Sequence, residues 1–288
     1  MRDEPSSATR RARLKDLHDF LRDDAVDAVM AFVGGYAAVQ LVEDLDYAVV
    51  ARHPKLLIGY SDLTALQLAI LARTGVASVY GPAALPQFGE AGGVDPYTWE
   101  AFERIVSGAT PPFLVAQTEA FITEYLEWDV ADERPRSVEG QAPTPRTIRE
   151  GEAAGTLIAG NLDTLLLLAG TGYLPPFDGV ILALEVEETS TRGRVIRQLE
   201  QLKLIGCLDR IAGLIVGRLP PAVGMSEEML ASELLSVTNG RPIPIVMNLP
   251  FGHTDPIVSL PVGGSVRIDG HVTRPSVVIT SAIVDSAG

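Results

Sequence analysis

Residues 55–71 read KLLIGYSDLTALQLAIL, a short apolar strand that passes directly into an apolar helix. The pattern predicts a strand at Lys55–Tyr60 and a helix at Leu63–Arg73, with Ser61 and Asp62 at the junction. A serine at such a sharp strand-to-helix turn projects its hydroxyl above the carboxyl edge of a sheet, as a nucleophile does. Serine and aspartate are also the preferred caps of a helix, and the second glycine of the G-x-S-x-G pattern is missing. Both interpretations stay open at this point.

The elements on either side of this stretch alternate between strand and helix. In chain order they are a strand at Ala28–Val33 closed by Gly34-Gly35, a helix at Ala38–Leu45 and a strand at Val76–Tyr80. This alternation is typical of a doubly wound parallel sheet. We therefore expect an amino-terminal α/β domain at residues 1–118.

A change of composition separates this part from the rest of the chain. Residues 119–154 are rich in proline, arginine and acidic residues, and we expect them to form a connecting segment. The predicted elements after Gly155 are helices at Leu162–Ala169, Arg192–Leu204 and Glu227–Leu235 and strands at Gly179–Leu184, Ile211–Val216 and Ile243–Met247. An antiparallel hairpin is expected around Asp269-Gly270, which suits a two-residue turn. These elements predict a carboxy-terminal α/β domain at residues 155–288.

Charge and cysteine content limit the partners and the compartment. The chain has 23 Lys and Arg against 37 Asp and Glu, a formal net charge of −14, so its long-range field repels nucleic acid and anionic lipid. Cys207 is the single cysteine, which excludes an intramolecular disulfide and a multi-cysteine metal site. Neither a signal peptide nor an apolar stretch of about 18 residues is visible. We expect a cytoplasmic protein that binds neither nucleic acid nor membrane.

Two further polar side chains follow predicted strands, and so reach the carboxyl edge where α/β proteins place ligand sites. His253 lies in NLPFGHTDP, just past the strand at Ile243–Met247, whereas the other three histidines lie in surface-like segments. Glu185 ends the apolar stretch ILALE, and a carboxylate there can orient an imidazole and stabilise its charged form. An exposed loop histidine is the alternative for His253. For the orienting acid, Glu187 and Glu188 are the nearest competitors of Glu185, and a solvated strand-end charge is the alternative role. The spacing alone does not establish that these side chains converge on Ser61.

Backbone N–H groups near Ser61 are candidates for holding a negatively charged oxygen. The N–H of Asp62 lies at the start of a helix, where free N–H groups and the helix dipole favour an anion. Gly34-Gly35 is a candidate for the second donor, because glycine lets a backbone approach a reacting carbonyl closely. A turn that simply requires glycine is the alternative.

Taken together, these segments resemble the LD-carboxypeptidase family, which also contains the peptidases that give self-immunity to microcin C. The matching stretches, in the order of the family, are FVGGY (32–36), PKLLIGYSDLTAL (54–66), YGPAALPQFGE (80–90), GTLIAGNLDTL (155–165), ILALE (181–185), NLPFGHTDP (248–256) and SLPVG (259–263). The resemblance implies that Ser61 is the nucleophile, His253 the general base and acid, and Glu185 its orienting partner. It also implies that the N–H groups of Gly35 and Asp62 form the oxyanion hole.

The resemblance further implies a flavodoxin-like amino-terminal domain, a swivelling β/α carboxy-terminal domain, an active site between them, a homodimer, and no metal or cofactor. Family members usually begin with a strand, a helix and a second strand before the segment seen here at Ser6, so the first domain is expected to be truncated at its start. YGPAALPQFGE and the stretch TEAFITEYLEWD (118–129), which contains Trp128, look more like the microcin-immunity branch than the muropeptide branch.

These features predict a serine carboxypeptidase or amidase that cleaves a carboxyl-terminal amide bond through an acyl-enzyme, acting on peptidyl or aminoacyl nucleotides. An LD-carboxypeptidase acting on murein tetrapeptides is the alternative within the same chemistry. A non-catalytic α/β ligand-binding protein is the alternative from another class. The residues that bind the substrate carboxylate are not assigned. Arginine pairs bidentately with carboxylates, and the candidates in a suitable segment are Arg134, Arg136, Arg146 and Arg149.

Overall fold

The computed structural model describes residues 7–119, 121–124, 126, 133–138 and 140–284. The helices of this part are α1 (Ser7–Arg22), α2 (Tyr47–Arg52), α3 (Thr64–Thr74), α4 (Pro96–Val106), α5 (Leu162–Leu167), α6 (Arg192–Leu204) and α7 (Glu227–Val237). The strands are β1 (Ala28–Met30), β2 (Leu56–Gly59), β3 (Ser78–Tyr80), β4 (Phe113–Leu114), β5 (Arg146–Arg149), β6 (Glu152–Asn161), β7 (Ile181–Glu185), β8 (Gly213–Gly217), β9 (Ile245–Leu249), β10 (Leu260–Val262), β11 (Ser265–Asp269) and β12 (Ser276–Ile279). The strands form two sheets, which confirms the predicted mixed α/β architecture. None of the helices in the described ranges has the length and apolar character needed to cross a bilayer.

The first sheet has four strands in the order β1-β2-β3-β10. β1, β2 and β3 are parallel, with Ala28 opposite Leu56 and Gly59 opposite Tyr80, and β10 is antiparallel to β3. The carboxyl ends of parallel strands meet at one edge of a sheet. The residues that end or follow β1, β2 and β3 are therefore brought together at that edge.

The second sheet has eight strands in the order β4-β12-β11-β6-β7-β8-β9-β5. The strands β6 to β9 are parallel and form its centre. Every residue of β7, β8 and β9 is buried, which explains why these strands are mostly apolar rather than alternating between apolar and polar residues. The predicted antiparallel hairpin is present as β11 and β12, but the two-residue turn expected at Asp269-Gly270 is wrong. Asp269 ends β11 opposite Ser276, and residues 270–275 connect the two strands.

A close contact between α3 and β6 joins the two sheets. Thr64 Oγ1 accepts the N–H of Asn161 at 3.0 Å, and both residues are buried. A Cβ added to Gly160 would lie only 2.5 Å from Thr64 Cγ2. In the sheet, Asn161 lies opposite Glu185 on the neighbouring strand β7. The helix that follows Ser61 is therefore held against the strand that leads to Glu185.

The helix predicted at Ala38–Leu45 is wrong as a single element. A short 3-10 turn spans Ala38–Leu41, and α2 begins only after Asp46. The Asp46 carboxylate accepts the N–H groups of Ala48 and Val49, each at 3.1 Å. Such side-chain capping competes with a continuous helix, which explains why the helix restarts at this point.

The segment predicted to connect the two domains contains a strand of its own. β5 lies at the edge of the second sheet, antiparallel to β9, with Arg146 opposite Met247. The sheets also exchange strands along the chain, because β4 pairs with β12 and β10 pairs with β3. The domain boundaries expected at residues 118 and 154 stay a prediction.

Candidate active site

Ser61 lies two residues beyond the end of β2, at the carboxyl edge of the first sheet. Its φ of 61° falls in the left-handed region, which is strained for serine and is typical of residues that the surrounding structure holds for a function. A 3-10 turn at Ser61–Leu63 leads into α3, and neither this turn nor α3 receives a side-chain cap. The structure therefore does not support the interpretation of Ser61 or Asp62 as a helix cap.

His253 lies in the loop that follows β9 and reaches Ser61 from the second sheet. Its Nε2 is 3.0 Å from Ser61 Oγ. The imidazole packs edge-on against the ring of Tyr60, with 5.1 Å between ring centres, and its side chain is 13% exposed. One side of the imidazole is thus shielded by protein, and a small part of it is open to solvent.

Glu185 ends β7 and contacts the other side of the imidazole. Its Oε2 is 2.7 Å from His253 Nδ1, and its side chain is fully buried. A Cβ added to Gly252 would lie 2.6 Å from this oxygen, so only glycine lets the His253 loop approach the carboxylate so closely. When Nδ1–H is donated to Glu185, Nε2 carries the lone pair that can accept the Ser61 hydroxyl proton.

Acidic surroundings change the proton affinity of His253. Burial of the imidazole lowers its pKa, but the charge of Glu185, aided by Glu188 and Glu187, raises the pKa to about 9. Burial of Glu185 acts to raise the pKa of that carboxyl, yet His253 and the hydroxyl of Tyr80 bring it below its ordinary value. The carboxylate is therefore ionised and favours an imidazolium, the form that a base takes after accepting a proton.

A loop containing the two glycines lies beside the Ser61 hydroxyl. A Cβ added to Gly34 would be 3.2 Å from Ser61 Oγ, so the backbone of the loop itself packs against the hydroxyl. Gly35 follows directly in this loop. Asp62 lies in the first turn of a helix, where backbone N–H groups have no helical acceptor. The role of the Gly35 and Asp62 N–H groups as oxyanion donors stays a prediction.

The side chain of Asp62 has a function that the sequence did not suggest. Its Oδ2 accepts the N–H groups of both Ala37 and Ala38, each at 2.8 Å. These bonds hold the far end of the loop that contains Gly35. Asp62 therefore fixes the loop through its carboxylate while its own N–H lies next to Ser61.

Sequence reasoning did not select two polar residues of this site. Tyr80 ends β3, and its hydroxyl lies 2.6 Å from Glu185 Oε1 and 3.2 Å from the backbone N of Ser61. Asn161 ends β6, caps α5 and donates from Nδ2 to Glu187 Oε2 at 2.9 Å. Each residue ends a parallel strand, and that position is the signal by which the sequence pattern could have identified it.

The four arginines considered for substrate binding all have side-chain partners. Arg134 pairs with Glu124, Arg146 with Glu227 and Glu228, and Arg149 with Thr238. Arg136 contacts the segment of His253, because its Nη2 lies 2.7 Å from Asp255 Oδ2. Its Nε also pairs with Glu90 Oε2, at 2.6 Å. Two carboxylates therefore already neutralise Arg136. Trp128 lies outside the described residues.

Ser61, His253 and Glu185 form a continuous hydrogen-bonded chain between the two sheets. A hydroxyl, an imidazole and a buried carboxylate in this order are the groups by which serine hydrolases activate a nucleophile. Within the described ranges, no group of three or more His, Cys, Asp or Glu residues is arranged to hold a metal ion. The arrangement can take a proton from Ser61 and return it to a leaving group.

Comparison with protein families and known proteins gives consistent results for both halves of the chain. The family model for the LD-carboxypeptidase N-terminal domain matches residues 2–81, and the model for the LD-carboxypeptidase C-terminal domain matches residues 154–268. YocD from Bacillus subtilis (strain 168) is 34% identical over 263 residues, covering 91% of this chain and 79% of that protein. The microcin C7 self-immunity protein MccF from Escherichia coli is 30% identical over 274 residues, covering 91% of this chain and 77% of that protein.

Solved structures resemble the whole chain. A MccF-like protein from Bacillus anthracis has a TM-score of 0.87 at 31% identity and covers 97% of this chain and 84% of its own. MccF in complex with aspartyl sulfamoyl adenosine has a TM-score of 0.86 at 27% identity, with coverages of 96% and 82%. A muramoyltetrapeptide carboxypeptidase from Oxalobacter formigenes has a TM-score of 0.74 at 27% identity, with coverages of 98% and 87%. The similar structures thus include proteins named for two different substrates.

Proposed function

Because the chain belongs to the LD-carboxypeptidase family, a family of peptidases, we propose that it is a serine carboxypeptidase with Ser61 as nucleophile, His253 as general base and Glu185 as orienting acid. One observation carries the proposal, the hydrogen-bonded chain from Ser61 Oγ through the imidazole to the buried carboxylate, with distances of 3.0 and 2.7 Å. The reaction is hydrolysis of a carboxyl-terminal amide bond through an acyl-enzyme.

In the first step, Ser61 Oγ attacks the carbonyl carbon of the amide while its proton moves to His253 Nε2. The carbonyl oxygen becomes negatively charged, and we assign its stabilisation to the N–H groups of Gly35 and Asp62. The charge of Glu185 stabilises the imidazolium that forms at the same time. The preference of His253 for its protonated form therefore serves this step.

In the second step, the imidazolium gives its proton to the leaving amine as the C–N bond breaks, and the acyl group stays on Ser61. Neutral His253 then takes a proton from water, which attacks the ester. The imidazolium returns this proton to Ser61 Oγ as the carboxylic acid leaves. Every proton is returned, so the free enzyme is regenerated.

We propose peptidyl or aminoacyl nucleotides as the substrate class. MccF, which is 30% identical to this chain, is a self-immunity protein for microcin C7, and its structures hold aspartyl sulfamoyl adenosine and glutamyl sulfamoyl guanosine. The muramoyltetrapeptide carboxypeptidase has a TM-score of 0.74, lower than the 0.86 of MccF with aspartyl sulfamoyl adenosine. Murein tetrapeptides are therefore the second candidate. We also propose a homodimer, as expected from the resemblance. Light scattering tests this by measuring the molar mass in solution.

The test offers both substrate classes to the purified protein in parallel. Aspartyl sulfamoyl adenosine and an L,D-linked murein tetrapeptide are incubated with the enzyme, and the released amino acids are measured by mass spectrometry. We expect faster release from the nucleotide conjugate and, with a fluorophosphonate, one adduct on Ser61 by intact-mass and peptide analysis. Cleavage of the tetrapeptide alone would mean that murein tetrapeptides are the substrate class, and the proposed peptidase activity would still hold. Binding of either compound without turnover would favour a ligand-binding protein.

The acidic surroundings of His253 predict activity that increases into the alkaline range. A general base must be neutral in the free enzyme, so kcat/KM should rise with pH through the pKa of His253, which is raised to about 9. Glu188→Gln removes one of the negative charges that raise this pKa. We therefore expect the acid limb of the kcat/KM profile to move to lower pH in this variant.

Glu100→Gln provides the matched control, because Glu100 is an exposed acid on α4 that pairs with Arg104. Both variants lose one negative charge, so the general change in net charge is the same. The acid limb should stay in place for Glu100→Gln. An equal shift in both variants, or no shift in Glu188→Gln, would contradict the local electrostatic explanation.

Asp62→Ala tests the loop that contains Gly35. The change removes both bonds to the N–H groups of Ala37 and Ala38, and the loosened loop should hold a transition-state oxyanion less well. We expect kcat to fall about tenfold while KM changes little, because an oxyanion forms only in the transition state. Steady-state kinetics with the cleaved substrate measures both constants.

Asp62→Asn is the control for this prediction. Both N–H groups bond to the same oxygen, Oδ2, so an asparagine carbonyl in that place can accept both bonds. We expect its kcat to remain close to that of the unmodified protein. An equal loss in the alanine and asparagine variants would mean that the negative charge of Asp62, and not its hold on the loop, matters.

A further inference from the structure

We propose that Tyr80 is a positioning residue of the active site, which sets the orientation of the acid and of the nucleophile at once through a single hydroxyl. The hydroxyl lies 2.6 Å from Glu185 Oε1 in one direction and 3.2 Å from Ser61 N in the other. The inference rests on the proposed serine mechanism and adds a fourth residue to it.

The chemistry of the three groups determines the direction of both hydrogen bonds. An ionised carboxylate can only accept, so the one hydrogen of the phenol is donated to Glu185 Oε1. A backbone N–H can only donate, so the phenol oxygen accepts from Ser61. Neither of these two bonds can therefore reverse.

The surroundings of Tyr80 keep its hydroxyl in place. The residue is 1% exposed and lies on a strand rather than in a loop. Its ring packs edge-on against Phe251 and Tyr60, with ring centres 6.3 and 6.4 Å apart. Burial and the charge of Glu185 raise the pKa of Tyr80 well above its ordinary value, so the hydroxyl keeps its hydrogen over the working pH range.

The first consequence concerns the acid. Tyr80 engages Oε1 of Glu185 while His253 engages Oε2, so the carboxylate cannot rotate without breaking one of the two bonds. A donated hydrogen bond also stabilises the negative charge on the carboxylate and so weakens its attraction for the imidazolium. We therefore expect the pKa of His253 to rise when the Tyr80 hydroxyl is removed.

The second consequence concerns the nucleophile. Ser61 has a positive φ of 61°, and its N–H is held by Tyr80 in this strained conformation. An N–H that donates to the phenol is not free to donate to a substrate oxygen. Stabilisation of the oxyanion is therefore left to other backbone N–H groups, in agreement with the proposed use of Gly35 and Asp62.

Tyr80→Phe removes the hydroxyl and keeps the ring, and it tests these consequences directly. We expect kcat to fall about tenfold to a hundredfold, the usual cost of losing an outer hydrogen-bond partner that supports a directly acting side chain, with little change in KM. The acid limb of the kcat/KM profile should move to higher pH, because the unshielded carboxylate attracts the imidazolium more strongly. Tyr47→Phe is the matched control, since the Tyr47 hydroxyl donates to Val42 O at 2.7 Å, outside the triad.

A second substitution covers the case in which Tyr80→Phe does not fold. 3-Fluorotyrosine introduced at position 80 keeps the hydroxyl and the shape of the ring but makes the phenol a stronger donor. The acid limb should then move to lower pH, opposite to the shift expected for phenylalanine. Opposite shifts from the two changes are the result that a purely structural role would not produce.

An unchanged acid limb in both Tyr80 proteins would overturn the inference, even if their activity were lower. So would a Tyr80→Phe profile that matches that of Tyr47→Phe. The proposed function fails separately, because it requires Ser61→Ala to be inactive whatever Tyr80 does. An inactive Ser61→Ala together with an unaffected Tyr80→Phe would retain the serine peptidase and reject the role of Tyr80.

Discussion

Ser61→Ala is expected to lower kcat on the order of 10⁶-fold, as removal of a serine nucleophile does in hydrolases of this chemistry. The change deletes the hydroxyl that lies 3.0 Å from His253 Nε2 and leaves the base without a proton to accept. Alanine has no group that can form an acyl-enzyme, so only catalysis by binding and by the oxyanion donors remains. Single-turnover and steady-state kinetics on the cleaved substrate measure the loss.

The fold should survive this substitution. Ser61 has a positive φ, which alanine tolerates no better than serine, so a small loss of stability is expected and circular dichroism measures it. Substrate binding should be retained, because the hydroxyl acts mainly in the transition state. Ser107→Ala, at an exposed serine that directly follows α4, is the matched control and should keep full activity. Turnover by Ser61→Ala above about a thousandth of the original rate would refute the nucleophile assignment.

Glu185→Gln is expected to lower kcat about 10⁴-fold, the effect of replacing the orienting acid of a serine triad by its amide. The structure gives a specific reason for a loss of this size. Tyr80 donates to Oε1, so the oxygen of a glutamine at position 185 should face Tyr80 and its NH₂ group should face His253. Nδ1 must then accept a hydrogen bond, and Nε2 carries the hydrogen that prevents it from accepting the Ser61 proton.

The same variant should also change the pH dependence of what activity is left. The charge of Glu185 raises the pKa of His253, so its removal should move the acid limb to lower pH. Glu188→Gln is the control in the same segment, and its kcat should stay within about tenfold of the original value, because Glu188 acts on His253 only through its charge. Comparable losses in the two variants would contradict the assignment of Glu185 as the orienting acid.

Local sequence pattern was sufficient to find the strand that precedes Ser61 and the helix that follows it. It also led to Glu185 and His253, because both follow apolar strands and parallel strands direct their carboxyl ends to a common edge. The structure places these side chains within hydrogen-bonding distance of one another. Local sequence pattern gave a wrong prediction at Ala38–Leu45. The carboxylate of Asp46 caps a new helix just after this segment, and apolar periodicity alone had predicted one continuous helix through it.

Tyr80 illustrates what local pattern cannot supply. The strand that it ends was predicted, but its hydroxyl reaches Glu185, 105 residues away in the chain. That contact exists because α3 packs on β6 and because β10, from the far part of the chain, closes the first sheet beside β3. Neither pairing leaves a trace in the composition of the segments concerned.

The sequence by itself determined the strands and helices that flank the candidate site and the polar residues that stand at their ends, because backbone periodicity and turn chemistry are local properties. The tertiary structure decided which of these residues meet. Glu185 is the acid that contacts His253, and Tyr80 contacts Glu185. The Asp62 carboxylate binds the loop that contains Gly35, and Arg136 pairs with two acids. Such contacts depend on how the two sheets pack together, and packing is set by the whole chain rather than by any one segment.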